Sequence, residues 1–86
     1  PHGNVVETSV VRYLRDDLVD MAQATAVGGR DGSVFFFYLL KQISRSGHCG
    51  DPSVSTKELG EEIYRMAVDA MIPMVKAALT EEPPEY

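Results

Sequence analysis

The feature that most constrains this chain is the segment 55–79, which carries a start signal, a helical period and a helix breaker in one run. Ser55-Thr56-Lys57-Glu58 has the form of a capping box. The Ser55 hydroxyl can accept from the backbone N–H of Glu58, while the Glu58 carboxylate reaches back to the N–H of Ser55. Val54 and Leu59 stand where a hydrophobic staple would place them, so a second signal marks the same start. Leu59, Ile63, Met66, Ala70, Met74 and Ala77 fall on one narrow stripe, with Glu58, Glu61, Glu62, Arg65 and Asp69 on the other side. From Ala70 to Leu79 polarity disappears around most of the circumference, which predicts burial on two sides. Pro73 cannot donate to the carbonyl of Asp69, and its ring crowds that carbonyl, so a kink is expected there.

Two further helices are expected upstream. Val6, Val10, Leu14, Leu18 and Met21 recur at helical spacing and predict a helix over 6–26, with Arg12, Asp16 and Asp20 at successive i,i+4 positions. Gly28-Gly29-Arg30-Asp31-Gly32-Ser33 interrupts the pattern and reads as a turn. Val34 to Leu40 is rich in β-branched and aromatic residues, but no partner strand stands nearby, and a lone strand would leave its backbone groups unpaired. Lys41-Gln42-Ile43-Ser44-Arg45 continues it in helical register, so a helix over 33–46 is preferred. Gly47 to Pro52 is loop. The expected fold class is all-α: one three-helix domain over 1–80, followed by a flexible, acidic, Pro-rich tail over 81–86.

Composition excludes more than it selects. Thirteen acidic against eight basic residues give a net charge of −5, the wrong sign for a phosphate backbone, so nucleic acid is not an expected partner. The longest apolar run, Val34 to Leu40, is too short for a bilayer, and no charged stretch precedes an apolar run at the start. One cysteine, Cys49, precludes an internal disulfide and fits a reducing compartment. A cytoplasmic, unexported protein with no membrane partner is the expectation.

Four patterns carry possible chemistry. Asp16-Asp17-Leu18-Val19-Asp20 resembles the DDxxD motif of helical prenyl-diphosphate enzymes. Asp17-x-x-Asp20 with Glu58-x-x-Glu61 resembles the paired acidic motifs of all-α nucleoside-triphosphate pyrophosphohydrolases. Either resemblance implies Mg²⁺ held by Asp16, Asp17, Asp20, Glu58, Glu61 and Glu62, since carboxylates at i, i+3 and i+4 project to one side of a helix. The plainer reading is a solvated face, with Arg12–Asp16, Glu61–Arg65 and Arg65–Asp69 pairing along it. Leu39 to Ser44 followed by Val54 to Leu59 resembles the opening of a winged helix-turn-helix, although no turn between Ile63 and Ile72 starts a recognition helix. Pro83, Pro84 and Tyr86 spell PPxY, which resembles WW-domain ligands.

Three other features read as structure. His48, Cys49 and Asp51 crowd one loop with no second cluster to complete a metal site. The Gly28 to Ser33 loop has no Walker lysine after it. Pro1 would match the nucleophile of the tautomerase family, but a polar stretch and a helix follow it where that family has a strand.

The function expected from sequence is therefore a non-enzymatic protein-interaction or oligomerisation module, without cofactor or catalytic residues. Its contact surface would comprise Met66, Ala70, Met71, Ile72, Met74, Val75 and Leu79, and a homodimer would cover it. An Mg²⁺-dependent phosphohydrolase and an adaptor presenting the PPxY tail are the alternatives.

Overall fold

The computed structural model describes residues 2–27 and 39–85. Within them the chain is helical and contains no strand: α1 (Val5–Arg15), a single turn α2 (Leu40–Ile43), and the long α3 (Lys57–Ala78). Short 3-10 turns lie at Asp16–Leu18, Met21–Gln23 and Pro52–Val54. The expectation of a helical chain holds. The three-helix arrangement is not reproduced among the described residues, and residues 28–38, most of the helix expected over 33–46, lie outside them.

α1 starts where Asn4 accepts from the backbone N–H groups of Val6 and Glu7 at 3.1 and 3.2 Å. The Glu7 carboxylate reaches back to accept from the Gly3 N–H, so cap and third helical residue satisfy each other's neighbourhood. The helix stops at Arg15, eleven residues short of the predicted end. Three aspartates follow within five residues, at the end where the helix dipole is negative and carboxylates are unfavourable. Asp20 caps a new turn by accepting from the N–H of Ala22 at 3.1 Å, so the carboxylates build turns and do not extend the helix.

The start of α3 also differs by one residue from the predicted cap. Thr56 is the N-cap, its hydroxyl accepting from the N–H of Leu59 at 3.0 Å. Ser55 is unavailable because tertiary contacts claim it: it is buried, and its carbonyl accepts from the Arg12 guanidinium at 2.7 Å. With the cap moved, Glu58 no longer stands at the third position, and Val54 lies exposed without its staple. α3 then runs without interruption through Pro73 for 22 residues.

α1 and α3 cross at Ser9 and Gly60. Ser9 is fully buried, and its hydroxyl accepts from the backbone N–H of Thr56 at 3.1 Å. Gly60 is buried against the backbone of Ser9 and Val10, and a Cβ there would sit inside the Ser9 carbonyl and 2.9 Å from the Val10 nitrogen. The absent side chain thus sets the closeness of the two helices. Above the crossing Tyr13 and Tyr64 meet with ring centroids 5.7 Å apart and planes tilted by 53°. Beside it Arg12 donates to Asp16 at 2.9 Å, and Lys57 reaches the same carboxylate at 3.2 Å.

The crossing is held by backbone proximity, hydroxyls and charge more than by an apolar core. No hydrophobic side chain is buried among the described residues. Of the stripe expected on α3, Leu59 and Ile63 are half-buried while Met66, Ala70, Met74 and Ala77 are exposed. The radius of gyration is 17.8 Å, against about 12 Å for a compact chain of this length.

Two predictions follow from the crossing. An alanine in a helix interior normally gains about 1 kcal/mol over glycine, but Gly60→Ala is expected to cost about 1–3 kcal/mol, because backbone atoms must move to admit the methyl. Urea unfolding followed by circular dichroism measures the sign. Asp16 is held below the ordinary carboxylate range by the Arg12 hydrogen bond first and the Lys57 one second. A lowered folded pKa contributes stability above the unfolded value of about 3.9, lost as pH falls through the folded value. Asp16→Asn is therefore expected to melt earlier at neutral pH, with the difference closing as pH falls below the unfolded value of about 3.9. An offset independent of pH would contradict the ion-pair account.

Candidate functional site

Separate parts of the chain meet at the amino-terminal end of α1. Residues 48–50 run between two other segments. His2 and Cys49 exchange backbone hydrogen bonds of 3.1 and 2.7 Å, and Val27 and Gly50 exchange bonds of 2.9 and 3.0 Å. Glycine makes the approach possible. Gly3 and Gly50 have φ of 63° and 136°, a region that side-chain-bearing residues rarely adopt. A Cβ on Gly3 would come within 2.9 Å of the His48 Cβ, and one on Gly50 within 2.6 Å of the Asn4 Cβ.

The backbone contacts of this joint bring residues 2–4 and 48–50 together, with Glu7 tied to Gly3. Glu7 is exposed, its carboxylate oriented by the Gly3 N–H. His48 is half-buried, its backbone N–H donating to the Ser44 hydroxyl at 3.2 Å. The Nε2 of its ring lies 2.7 Å from the carbonyl oxygen of Thr25. A carbonyl can only accept, so Nε2 carries the proton in the neutral ring and Nδ1 keeps the lone pair. His2 is exposed, and Cys49 is a half-buried free thiol. Asp51 turns away to order the next turn, accepting from the N–H of Ser53 at 3.0 Å and from the Ser53 hydroxyl.

The acidic residues expected to hold Mg²⁺ are spread out and largely engaged. Asp16 and Asp17 lie in a 3-10 turn, not on a helix, and pair with Arg12, Lys57 and Arg15. The Arg15 hydrogen bond also holds the Asp17 carboxyl below its usual range. Asp20 accepts from the Gln23 amide at 2.8 Å, and Glu61 accepts from Arg65 at 2.8 Å. Glu58 and Glu62 are exposed on α3. Among the described residues no three His, Cys, Asp or Glu side chains gather so as to hold a metal ion, and this includes both the acidic sextet and the His48 loop. The paired-motif reading fails because α1 ends before its aspartates begin.

The remaining expected residues are placed without being brought together. Met66, Met71, Ile72, Met74, Val75 and Leu79 are exposed along α3, as is Ala70. A shallow apolar groove of about 330 Å³ runs beside Val68, Met71, Ile72 and Val75. Pro83 and Pro84 are exposed outside any helix, and Tyr86 lies outside the described residues. No helix of the described residues is long and apolar enough to cross a membrane. His2, Glu7 and His48 were not expected as a site. The available signals were Asn4-x-x-Glu7, a helix start that ties a carboxylate to Gly3, and the two glycines that flank His2 and His48 at close range.

No curated protein and no solved structure gives a significant match to the chain. A protein-family model does match, over residues 1–75, and its description is Creatininase: Creatinine amidohydrolase. The matched stretch includes the joint of residues 2–4 with 48–50, the Ser9–Gly60 crossing and most of α3. A match to a hydrolase family overturns the expectation of a non-enzymatic interaction module, and neither the phosphohydrolase nor the adaptor alternative accounts for it. Amphipathic helices and negative charge had suggested those readings, and both are properties that an enzyme shares with a docking module. The match extends over most of the chain, so this protein belongs to the creatininase family.

Proposed function

We propose that the chain takes part in hydrolysis of a cyclic amide of the creatinine type, with His2, Glu7 and His48 as its polar working groups. The observation that carries the reading is the family match over the residues that form this joint. Opening a cyclic amide needs a water to attack the ring carbonyl, one group to take the water's proton, and another to deliver a proton to the departing ring nitrogen. His48, with Nε2 committed to Thr25, offers Nδ1 as the acceptor. Glu7 is a second carboxylate acceptor, already aimed by the Gly3 N–H. His2, exposed on the same short ladder, has an imidazole N–H that can donate to the leaving nitrogen. Water adds across the C–N bond, the carbonyl carbon becomes a carboxylate, and the nitrogen leaves with a proton, so atoms balance without an external oxidant or reductant.

Two expectations from sequence enter this reading as parts of it. A cytoplasmic setting is supported by the single free thiol. A one-domain chain with an exposed tail after residue 80 is supported by the crossing of α1 and α3 and by the absence of helix in 81–85.

The test is hydrolysis of creatinine, followed as creatine appearing by chromatography, beside a hydantoin and a five-membered lactam. His48→Gln keeps a hydrogen-bonding amide but no basic ring nitrogen and is expected to lower turnover about 10²-fold or more. Glu7→Gln is expected to lower it less, with little change in the melting temperature because the amide oxygen can still accept from Gly3. Full activity in His48→Gln, or no ring opening of any of the three substrates by a folded parent, would overturn the proposal.

A further inference from the structure

Ser44 follows the single turn of α2 and is only 6% exposed, a buried hydroxyl at the root of the loop that leads to His48. Its oxygen accepts from the backbone N–H of His48 at 3.2 Å and lies 3.1 Å from the hydroxyl oxygen of Ser46. Packing does little to restrain the residues between. Arg45, Ser46 and Gly47 are exposed, Gly47 has φ of 79°, and apart from its chain neighbours no heavy atom lies within 4 Å of where its Cβ would stand. The Ser44 side chain closes this loop, offering the backbone of residue 48 the partner that a regular turn would supply from a carbonyl.

We propose that Ser44 is a positioning residue, which sets the direction of the His48 Nδ1 lone pair by fixing the backbone of residue 48. The proposal rests on the reading of His48 as the group that takes the proton of water. The ring is held at its far end, where Nε2 lies 2.7 Å from the Thr25 carbonyl oxygen. One point of attachment leaves a ring free to pivot. Nδ1 is bonded to Cγ, on the backbone side of the ring, so its place follows the Cα and Cβ of residue 48. Those atoms are fixed from three directions. The Ser44 hydroxyl holds the N–H of His48, the next residue, Cys49, exchanges backbone bonds with His2, and Gly3 comes so close to the His48 Cβ that it has no room for a side chain. Of the three, the Ser44 contact is the one made by a side chain, so it can be removed while the ladder and the glycine approach stay in place. A proton acceptor has to be aimed closely, and a displacement of about 1 Å can cost on the order of 10²-fold in rate. Ser44 thus acts on turnover through His48, without touching substrate.

The test compares Ser44→Ala and Ser44→Thr in the whole chain, with creatinine as substrate. Ser44→Ala is expected to lower kcat about 10- to 100-fold with KM within about twofold of the parent, because the aim of the base changes and the affinity does not. Ser44→Thr keeps the hydroxyl and is expected to retain most of the parent's kcat. The second readout is the NMR signal of the His48 Nε2 proton below the melting temperature, which a merely structural role would not move. The Thr25 carbonyl shields that proton from exchange with water in the parent. Its signal is expected to broaden away in Ser44→Ala and to persist in Ser44→Thr. An intact Nε2 signal in a folded Ser44→Ala overturns the proposal whatever its turnover, and so does a parent-like kcat. Losses in Ser44→Thr equal to those in Ser44→Ala also overturn it, since the hydroxyl would then not be what acts. A parent that opens no ring, or a fully active His48→Gln, sinks the hydrolytic reading by itself, and the Nε2 signal of Ser44→Ala then still decides whether Ser44 places the ring.

Discussion

Everything described here hangs on the contact of Gly60 with the backbone of Ser9. At that point α1 and α3 approach so closely that no Cβ fits between them, and the buried Ser9 hydroxyl uses the proximity to accept the first free N–H before α3. Once Ser9 and Gly60 are in register, Arg12 lies within reach of the Ser55 carbonyl, and Asp16 lies between Arg12 and Lys57. The start of α3 shifts from Ser55 to Thr56 as a consequence. The amino-terminal end of α1 is fixed by the same contact, and with it Asn4, Glu7 and the ladder to Cys49.

That arrangement divides the molecule by type of interaction. Near the crossing, polar groups are satisfied at short range while little apolar surface is buried. Further along α3 the opposite holds, with apolar side chains exposed and few polar groups to satisfy. Hydroxyl caps and ion pairs of this kind contribute modestly one by one, so the crossing depends on their shared geometry.

The elements dominated by local signals were legible in the sequence. The period of α3, the Arg12–Asp16 and Glu61–Arg65 pairs, and the loop over 47–52 follow from spacing alone and are present. The differences arise where a competing interaction, distant or local, took a residue. Ser55 had the right chemistry for a cap, but Arg12 and burial took it. The aspartates after Arg15 fitted a helical period, yet their dipole preference and turn-capping ended the helix. The candidate site was least legible, since His48 is far from His2 and Glu7 in sequence and their segments meet at two glycines whose positive φ no periodicity reveals. An apparent metal motif on 16–20 was a set of turn caps and ion pairs.

The central claim is that the joint of residues 2–4 with 48–50 is a chemical site. It is tested most directly by nitrogen-detected NMR of the histidine rings during titration with creatinine. The account predicts that His48 begins as the Nε2-protonated tautomer and that His48 and His2 resonances move together as ligand is added. A His48 ring protonated on Nδ1 in its neutral form, or ring signals that stay fixed through a saturating titration, would contradict it.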